Sequence, residues 1–482
     1  MTFSKRKNNR VFFYLTGMFF TILALLFFRI KMQYCDHPWF YVNSLQIANG
    51  KHLYSDLPVV AMPLAYWINA LALKINESFF SMVVVAAIET VLETAVLLLI
   101  ARKMGIKEET ALPVLYIFEI GFGPSFLEYN RLVALFSLVC LYILMKLRES
   151  KHKRFLCIFL GVIVGGACLS KQTTGACLFI TTFLCLLVHI KENNLCKKHI
   201  ILFVSPILIE CVSFLLYLVS IDSLCDFYDC CILAGKSFSQ NFRADSNLFF
   251  PIMMVLYLIL LIIVGINAVK NKNLEDRFLI AMALPNLVAL YPIANTGHLI
   301  INLSFMLLAI FRITKIFHFD QHKMYWPFKI MLHVFIAVIV SLTLLSLYGK
   351  YTSASMCNGK GLQYIQLDES VKEEIEDISS YEKKHTGMKF YSPEVAYCLI
   401  ELEQNRIPDK YWISYLTGNL GTKDPIDIIR ETEKNNQIYW YIYKDDRKVF
   451  YQTPTEARDY IKKYYKKIDE TKYFEIYKRA DY

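Results

Sequence analysis

The chain has 482 residues, of which 55% are hydrophobic and 20% are charged, and its formal net charge is +10. Soluble domains carry about a quarter charged residues and rarely contain apolar runs of about 20 residues, the length that spans a bilayer core. Such runs recur here, for example at 11–30, 82–101 and 249–266. The composition therefore predicts a polytopic α-helical membrane protein and excludes a soluble enzyme or a nucleic-acid-binding protein.

Hydropathy predicts about 11 transmembrane helices, the first an uncleaved span rather than a signal peptide. They lie at about 11–30, 81–101, 110–127, 131–147, 154–170, 173–190, 199–220, 249–269, 278–294, 297–316 and 327–348.

The distribution of charge predicts the orientation. With a cytoplasmic N-terminus, the inner segments hold 22 Lys and Arg against seven acidic residues, whereas the rest of the chain before residue 349 holds eight against twelve. Cytoplasmic loops carry the excess of Lys and Arg. Because the number of spans is odd, we predict a multi-pass cell-membrane protein whose C-terminal region is extracytoplasmic.

Two domains are predicted, a transmembrane domain over 1–348 and a soluble α/β domain over 349–482. The second has no apolar span and balances 22 basic against 23 acidic residues. Strand-like runs at 389–392, 437–443 and 473–478 alternate there with helical runs at 369–384, 393–403 and 455–467.

The first outer loop, 31–80, is long and predicts two short helices. One opens at Asp36 and stops at Gly50, and the other covers 63–74. The second is apolar but too short to span, so we expect it at the membrane interface with Tyr66 and Trp67 at headgroup depth.

Three carboxylates at the predicted outer ends of the spans are candidates for catalysis, since ionisable groups near the membrane are costly and default to functional candidates. Each carboxylate also has a purely structural interpretation. Asp36 is alternatively a helix cap, Asp56 a turn residue, and Glu128 the partner of Arg131 in a local ion pair.

Two cations lie on the same predicted face. Lys171 follows the run GVIVGG at 161–166 and is either a snorkelling lysine or a partner for a phosphate; His298 begins the tenth span and is either structural or functional. Carboxylates and cations that converge at headgroup depth suit a lipid-linked phosphate, whose charge meets Lys or Arg while a carboxylate deprotonates the acceptor.

These motifs resemble the GT-C superfamily of membrane glycosyltransferases, in particular the group of dolichyl-phosphate-mannose protein mannosyltransferases and bacterial aminoarabinose transferases. The resemblance lies in Asp36-x4-Tyr41, in IANGKHLYSD at 47–56, in PLAYW at 63–67, in LSKQ at 169–172 and in YPIANTGH at 291–298. The chain departs from the family in having Asp36-His37 rather than Asp-Glu, and Asn295 rather than Asp.

The resemblance implies an inverting transfer of a monosaccharide from a polyprenyl-phosphate donor to a protein, lipid or glycan acceptor on the extracytoplasmic face. Asp36 would be the general base or an organiser of the acceptor, with Asp56 and Glu128 in support. Lys171, His298 and Arg131 would hold the donor phosphate. Asp36 and Glu128 are also the candidate ligands should a divalent cation, Mg or Mn, take part; no other cofactor is implied.

The alternative function is that of a polytopic transporter or lipid flippase without glycosyl transfer. Transporters place ionisable residues near the midplane and show related halves. Glu89, Glu93 and Glu210 are the midplane candidates, but no internal repeat is found. The residues specify neither the sugar nor the acceptor.

Overall fold

The computed structural model describes residues 15–19, 36–122, 126–240, 243–244, 248–317, 354–356, 360–362, 365–393, 421–434, 437–444 and 455–479. The predicted span 327–348, most of 11–30 and nearly all of the helical run 393–403 lie outside the described residues.

The membrane part is a bundle of helices at the predicted positions. They are α1 (Asp36–Ala48), α2 (Leu64–Ile75), α3 (Phe79–Lys103), α4 (Glu108–Phe122), α5 (Tyr129–Leu147), α6 (Lys153–Cys168), α7 (Gln172–Lys191), α8 (Lys198–Ser220), α9 (Leu224–Phe227), a π-helix (Tyr228–Leu233), α10 (Ala234–Ser239), α11 (Phe249–Lys270), α12 (Leu274–Val288), α13 (Thr296–Ile301) and α14 (Leu303–Ile316). Two short strands, β1 (Arg243–Ala244) and β2 (Ile293–Ala294), pair in parallel between these helices.

Five of these helices are long and apolar enough to cross a membrane, counting only the described residues: α3, α5, α7, α8 and α11. The protein is therefore a multi-pass membrane protein. α4, α6, α12 and the pair α13–α14 coincide with predicted spans but are shorter, so the total of 11 stays a prediction.

Local sequence explains where the long helices begin and end. At the start of α3 the Ser78 side chain accepts a hydrogen bond from the backbone of Phe80, and Arg102 and Lys103 occupy the last turn, where the helix dipole favours cations. Similarly, Asn273 caps α12 and Asn295 caps α13. These polar caps separate the apolar runs into antiparallel neighbours.

Small residues bring α6 and α8 together. A Cβ on Gly161 would lie 2.2 Å from the backbone oxygen of Phe203, and one on Gly165 would lie 2.2 Å from Glu210 Oε2. Only glycine permits this approach of two helices, as the GxxxG spacing predicts.

A buried ionic cluster joins α3, α4, α5 and α14. Arg131 Nε lies 3.1 Å from Glu89 Oε2, and Arg131 Nη2 lies 3.6 Å from Glu93 Oε2. Ser304 donates a hydrogen bond to Glu93, and Glu119 is buried within electrostatic reach of the same arginine. The cluster sets the first turn of α5 against the middle of α3.

The first loop forms the predicted pair of helices, and α1 packs against α2. Tyr66 is 1% exposed and its hydroxyl accepts a hydrogen bond from Trp39 Nε1 at 3.1 Å. Tyr66 therefore faces α1 rather than lipid, because α1 covers that face of α2, and its depth in the membrane stays a prediction. Trp67 packs its ring edge against Phe214 and Tyr217 of α8.

The described part of the C-terminal region contains strands and helices. They are β3 (Ala354–Met356), β4 (Gln366–Asp368), α15 (Glu369–Lys384), β5 (Lys389–Tyr391), α16 (Pro425–Glu433), β6 (Ile438–Tyr443), α17 (Thr455–Tyr464), β7 (Tyr465–Glu470) and β8 (Phe474–Arg479). The predicted helix 455–467 is partly wrong, since the chain turns to strand at Tyr465 and pairs with β8.

The sheet has the order β5-β6-β8-β7, with β5 parallel to β6 and the other pairs antiparallel. Its apolar face and α15 share one buried core with α1, α2 and the start of α3. The interior of the helix bundle forms a second core. The first loop therefore connects the bundle to the C-terminal region.

Two contacts fix this connection. Tyr41 donates from its hydroxyl to the backbone oxygen of Glu77 at 2.5 Å, and a Cβ on Gly361 would lie 2.5 Å from the same hydroxyl. On the π-helix, Asp229 accepts hydrogen bonds from the side chain of Thr422 at 2.7 and 2.8 Å and from its backbone at 3.3 Å.

Replacing Gly161 tests the α6–α8 packing. We expect Gly161→Ala to lower the free energy of unfolding by about 1–3 kcal/mol because the new Cβ overlaps a backbone oxygen. The matched control is Gly265→Ala in α11, where the Cβ would meet Ile280 at an ordinary 3.5 Å. Thermal unfolding in detergent measures both, and equal midpoints would contradict the packing argument.

Replacing Arg131 tests the ionic cluster. Arg131→Leu leaves buried carboxylates without their cation, and we expect a loss of about 3–5 kcal/mol in unfolding free energy. Adding Glu89→Gln and Glu93→Gln should recover part of that loss. Arg277→Leu, at an exposed position of α12, is the control. A wild-type unfolding midpoint for Arg131→Leu would show that the cluster is dispensable.

Candidate functional site

A pocket of about 260 Å³ opens where the ends of α5, α7 and α13 meet the first loop and the segment 231–239. Its lining consists of Val60, Ala61, Tyr129, Ser170, Lys171, Gln172, Thr173, Cys231, Ile232, Gly235, Phe238, Ser239, Tyr291, Pro292, Ile293 and His298. The walls are mostly apolar and aromatic, with one lysine and one histidine among the lining residues. Such a lining suits an amphiphile with an anionic group.

Lys171 reaches the pocket from the tight turn between α6 and α7. It is the N-cap of α7 in extended conformation, and a Cβ on Gly175 would lie 2.5 Å from the Cα of Cys168. The backbone oxygen of Leu169 in the same turn accepts from the backbone of Leu64 at 2.9 Å. The glycine lets the two helix ends approach, and the first loop holds the turn.

The Lys171 ammonium donates two hydrogen bonds, to Asn130 Oδ1 at 2.9 Å and to the backbone oxygen of Ala289 at 2.8 Å. It also lies 5.7 Å from the centroid of the Tyr129 ring. Within the described part of the chain this leaves one of its three N–H groups for a ligand. Both protein acceptors are neutral, so the positive charge remains available.

Burial lowers the pKa of Lys171 to about 8, and the nearby Glu128 carboxylate opposes that shift. Desolvation disfavours a charged group and an opposite charge favours it. The lysine, which lies between the two spans, is therefore a cation at neutral pH that an anionic ligand would stabilise further.

His298 enters from the first turn of α13. Its backbone N–H donates to the Asn295 side chain at 2.8 Å, and its ring Nδ1 lies 2.6 Å from the backbone oxygen of Ile293. Since a carbonyl only accepts, Nδ1 carries the proton, which leaves Nε2 for a ligand. Asn295, which replaces the family's Asp, has a capping role here.

Glu128 lies beside the pocket rather than among its lining residues. It is half-buried as the N-cap of α5, and its Oε2 accepts from Asn130 Nδ2 at 3.3 Å. Asn130 thereby links the carboxylate to the lysine. The alternative of a local pair between Glu128 and Arg131 is replaced by the pairing of Arg131 with Glu89 and Glu93.

The other predicted site residues lie elsewhere. Asp56 is exposed in a turn of the first loop, where its Oδ2 accepts from the backbone of His52 at 2.8 Å. Arg131 is 5% exposed, inside the ionic cluster. Asp36 is the first residue of α1, and its side chain is outside the described residues. The structure thus brings Lys171 and His298 together, with Glu128 adjacent.

The described residues contain no group of three His, Cys, Asp or Glu side chains that could hold a metal ion. Glu128 has an asparagine amide and a lysine nearby, which do not fit a cation. We therefore derive no step through a metal.

Sequence reasoning missed the wall formed by Cys231, Ile232, Gly235 and Phe238. These residues belong to the π-helix and α10, between the predicted spans 199–220 and 249–269. No charged or glycine-rich pattern marked them. Asn130, by contrast, lies between the candidate residues Glu128 and Arg131, but nothing in the sequence distinguishes its amide.

Comparison with known proteins adds to this geometry. Residues 57–217 match the sequence profile of the family described as dolichyl-phosphate-mannose-protein mannosyltransferase. No curated protein matches the chain.

Among solved structures, the chain is similar to ArnT from Cupriavidus metallidurans in the apo state, with a TM-score of 0.60, and bound to undecaprenyl phosphate, with a TM-score of 0.58. In both cases the identity is 10%, and the match covers 98% of each chain. At that identity the likeness shows the fold. Residues 57–217 thus resemble this glycosyltransferase family, within a chain whose fold is similar to that of the ArnT structures.

Proposed function

We propose that the protein is a membrane glycosyltransferase that moves a monosaccharide from a polyprenyl-phosphate donor to an acceptor on the extracytoplasmic face. The observation that carries the proposal is the Lys171 ammonium, which lines a largely apolar pocket and donates two of its three N–H groups to described residues. The similar ArnT structure has undecaprenyl phosphate bound, which supports a donor of this class.

In this proposal the donor phosphate lies between Lys171 and His298. The third ammonium N–H of Lys171 donates to a phosphate oxygen. Nε2 of His298 donates as well once the negative charge of the arriving phosphate has protonated the ring. The apolar residues Val60, Ile232 and Phe238 accommodate the first part of the prenyl chain. Preorganised donors of this kind stabilise charge that develops on a leaving group.

The transfer needs little beyond positioning and charge pairing. An acceptor hydroxyl or amine attacks C1 of the sugar, the new C1–acceptor bond forms as the C1–O bond to phosphate breaks, and polyprenyl phosphate leaves with the electron pair. Attack from the face opposite the phosphate inverts C1. The acceptor's proton passes to a carboxylate.

Three carboxylates are candidates for that proton. Asp36 has the role that the family resemblance gives it, as base or organiser of the acceptor. Glu128 is supported by its link through Asn130 to Lys171. Asp56 would act in support from the first loop. Arg131 we now assign to structure, since its guanidinium pairs with Glu89 and Glu93.

The transporter or flippase alternative has less support. Glu89 and Glu93, two carboxylates that it would use, pair with Arg131 and Ser304 inside the protein. A transport assay still separates the two functions, since a flippase moves the lipid without transferring the sugar.

Replacing Lys171 tests the proposal. In membranes supplied with labelled polyprenyl-phosphate sugar, we expect Lys171→Ala to lower transfer by about 100-fold or more, because the leaving phosphate loses its cation. Lys171→Arg should keep part of the activity. Lys236→Ala, at an exposed lysine of α10, is the matched control. Unchanged transfer by correctly inserted Lys171→Ala would refute the donor site, and lipid flux without transfer would favour the transporter.

The pH dependence of binding provides a second test. Because the pKa of Lys171 is about 8, its charge is lost as pH rises through that value. We expect the affinity for undecaprenyl phosphate to fall about tenfold between pH 7 and pH 9. Arginine stays charged over that range, so Lys171→Arg should bind with little change. Calorimetric titration in detergent measures both, and parallel pH profiles would argue against this lysine as the anion's partner.

A further inference from the structure

The Asn130 side chain contacts both Lys171 and Glu128. Its Oδ1 accepts from the ammonium at 2.9 Å and its Nδ2 donates to Glu128 Oε2 at 3.3 Å. The side chain is fully buried at 0% exposure, in the first turn of α5. A buried amide that joins a cation to an anion has a defined orientation, because lysine only donates and a carboxylate only accepts.

The position of Asn130 is fixed from both sides along the chain. Arg131 is held in the ionic cluster by Glu89 and Glu93, and the backbone oxygen of Leu127 accepts from Asn69 Nδ2 at 2.8 Å. The backbone that carries Asn130 is therefore anchored at Arg131 on one side and at Leu127 on the other.

The chemistry of an amide differs from that of its near-isosteres at this position. An aspartate would form an ion pair with Lys171 and neutralise it before an anion arrives. An alanine would remove one of the two acceptors that hold the ammonium, and the charged lysine would lose a hydrogen bond in a desolvated site. An asparagine holds the ammonium without adding a negative charge next to it.

We propose that Asn130 is a positioning residue that holds the Lys171 ammonium at the phosphate end of the pocket and ties it to the Glu128 carboxylate. This inference rests on the proposed function, in which Lys171 meets the donor phosphate. It adds that the Asn130 amide sets the distance between Lys171, which pairs with the leaving phosphate, and Glu128, a candidate base.

The charged and titratable groups around Lys171 come from several elements. Glu128 and the Tyr129 ring lie on the side of α5, and His298 lies across the pocket on α13. Ala289 at the end of α12 contributes a neutral backbone oxygen. Substitution of Asn130 therefore changes one neighbour of the lysine while these groups remain.

The test measures the affinity of the full-length protein for undecaprenyl phosphate as a function of pH, in wild type, Asn130→Asp and Asn130→Ala. We expect Asn130→Asp to bind about tenfold more weakly at pH 7, with its loss of affinity at high pH shifted upward by about one pH unit. Asn130→Ala should shift that loss downward instead. Opposite shifts are expected because the aspartate stabilises the ammonium and the alanine withdraws an acceptor.

A merely structural asparagine would not give opposite shifts. The matched control is Asn286→Ala, a fully buried asparagine of α12 whose Nδ2 donates to the backbone oxygen of Met282, and it should keep the wild-type pH profile. If both Asn130 variants fold and keep the wild-type profile, the inference is overturned.

A further variant separates this inference from the proposed function. If Lys171→Ala binds undecaprenyl phosphate as well as wild type does, the proposed donor site itself fails. If Lys171→Ala loses binding while the Asn130 variants retain the wild-type affinity and pH profile, the donor site stands and only the role of Asn130 is refuted.

Discussion

The pairing of Arg131 with Glu89 and Glu93 determines how deep the site lies in the bundle. Glu89 is ten residues into α3, which corresponds to about 15 Å along the helix, whereas Arg131 is in the first turn of α5. A buried guanidinium cannot leave its carboxylates without a large desolvation cost. The first turn of α5 is therefore held well below the start of α3. The neighbours of Arg131, Asn130 and Glu128, are held with it, so the partners of Lys171 are positioned by a buried interaction outside the pocket lining.

The site is assembled from chain segments that are far apart in sequence. The turn that positions Lys171 depends on Gly175 and on the first loop. The helix that positions His298 depends on the Asn295 cap. Desolvation is the common physical property of these side chains. It weakens the hold of Lys171 on its own proton, and an anion bound beside Lys171 and His298 would favour the protonated form of both side chains. A pocket with mostly apolar walls and two such groups favours an amphiphile whose charged end is a phosphate.

The sequence predicted the helices well because hydropathy and length report directly on burial in a bilayer. It located Lys171 and His298 because polar residues at the ends of apolar runs are conspicuous. It could not place Arg131, whose partner Glu89 lies 42 residues away and carries no spacing signal. The predicted helix 455–467 was wrong at its end because the polar run YKKIDE at 465–470 is compatible with a helix and with an exposed strand. Only its pairing with β8 selects the strand. The part of the pocket wall formed by the π-helix was missed because Cys231 and Ile232 look like ordinary apolar residues in the sequence. Only the fold shows that they line the pocket.

The shared core of the first loop and the C-terminal sheet has a consequence for divergence. Tyr41 of α1 and Gly361 are in such close contact that a side chain at position 361 would displace the tyrosine hydroxyl from the backbone of Glu77. Asp229 and Thr422 are matched in the same way, next to the pocket wall. The two regions must therefore accumulate substitutions in concert. A chimaera that exchanged the C-terminal region alone would expose the buried surface of α1 and α2, and exchange would have to carry residues 36–83 along with it.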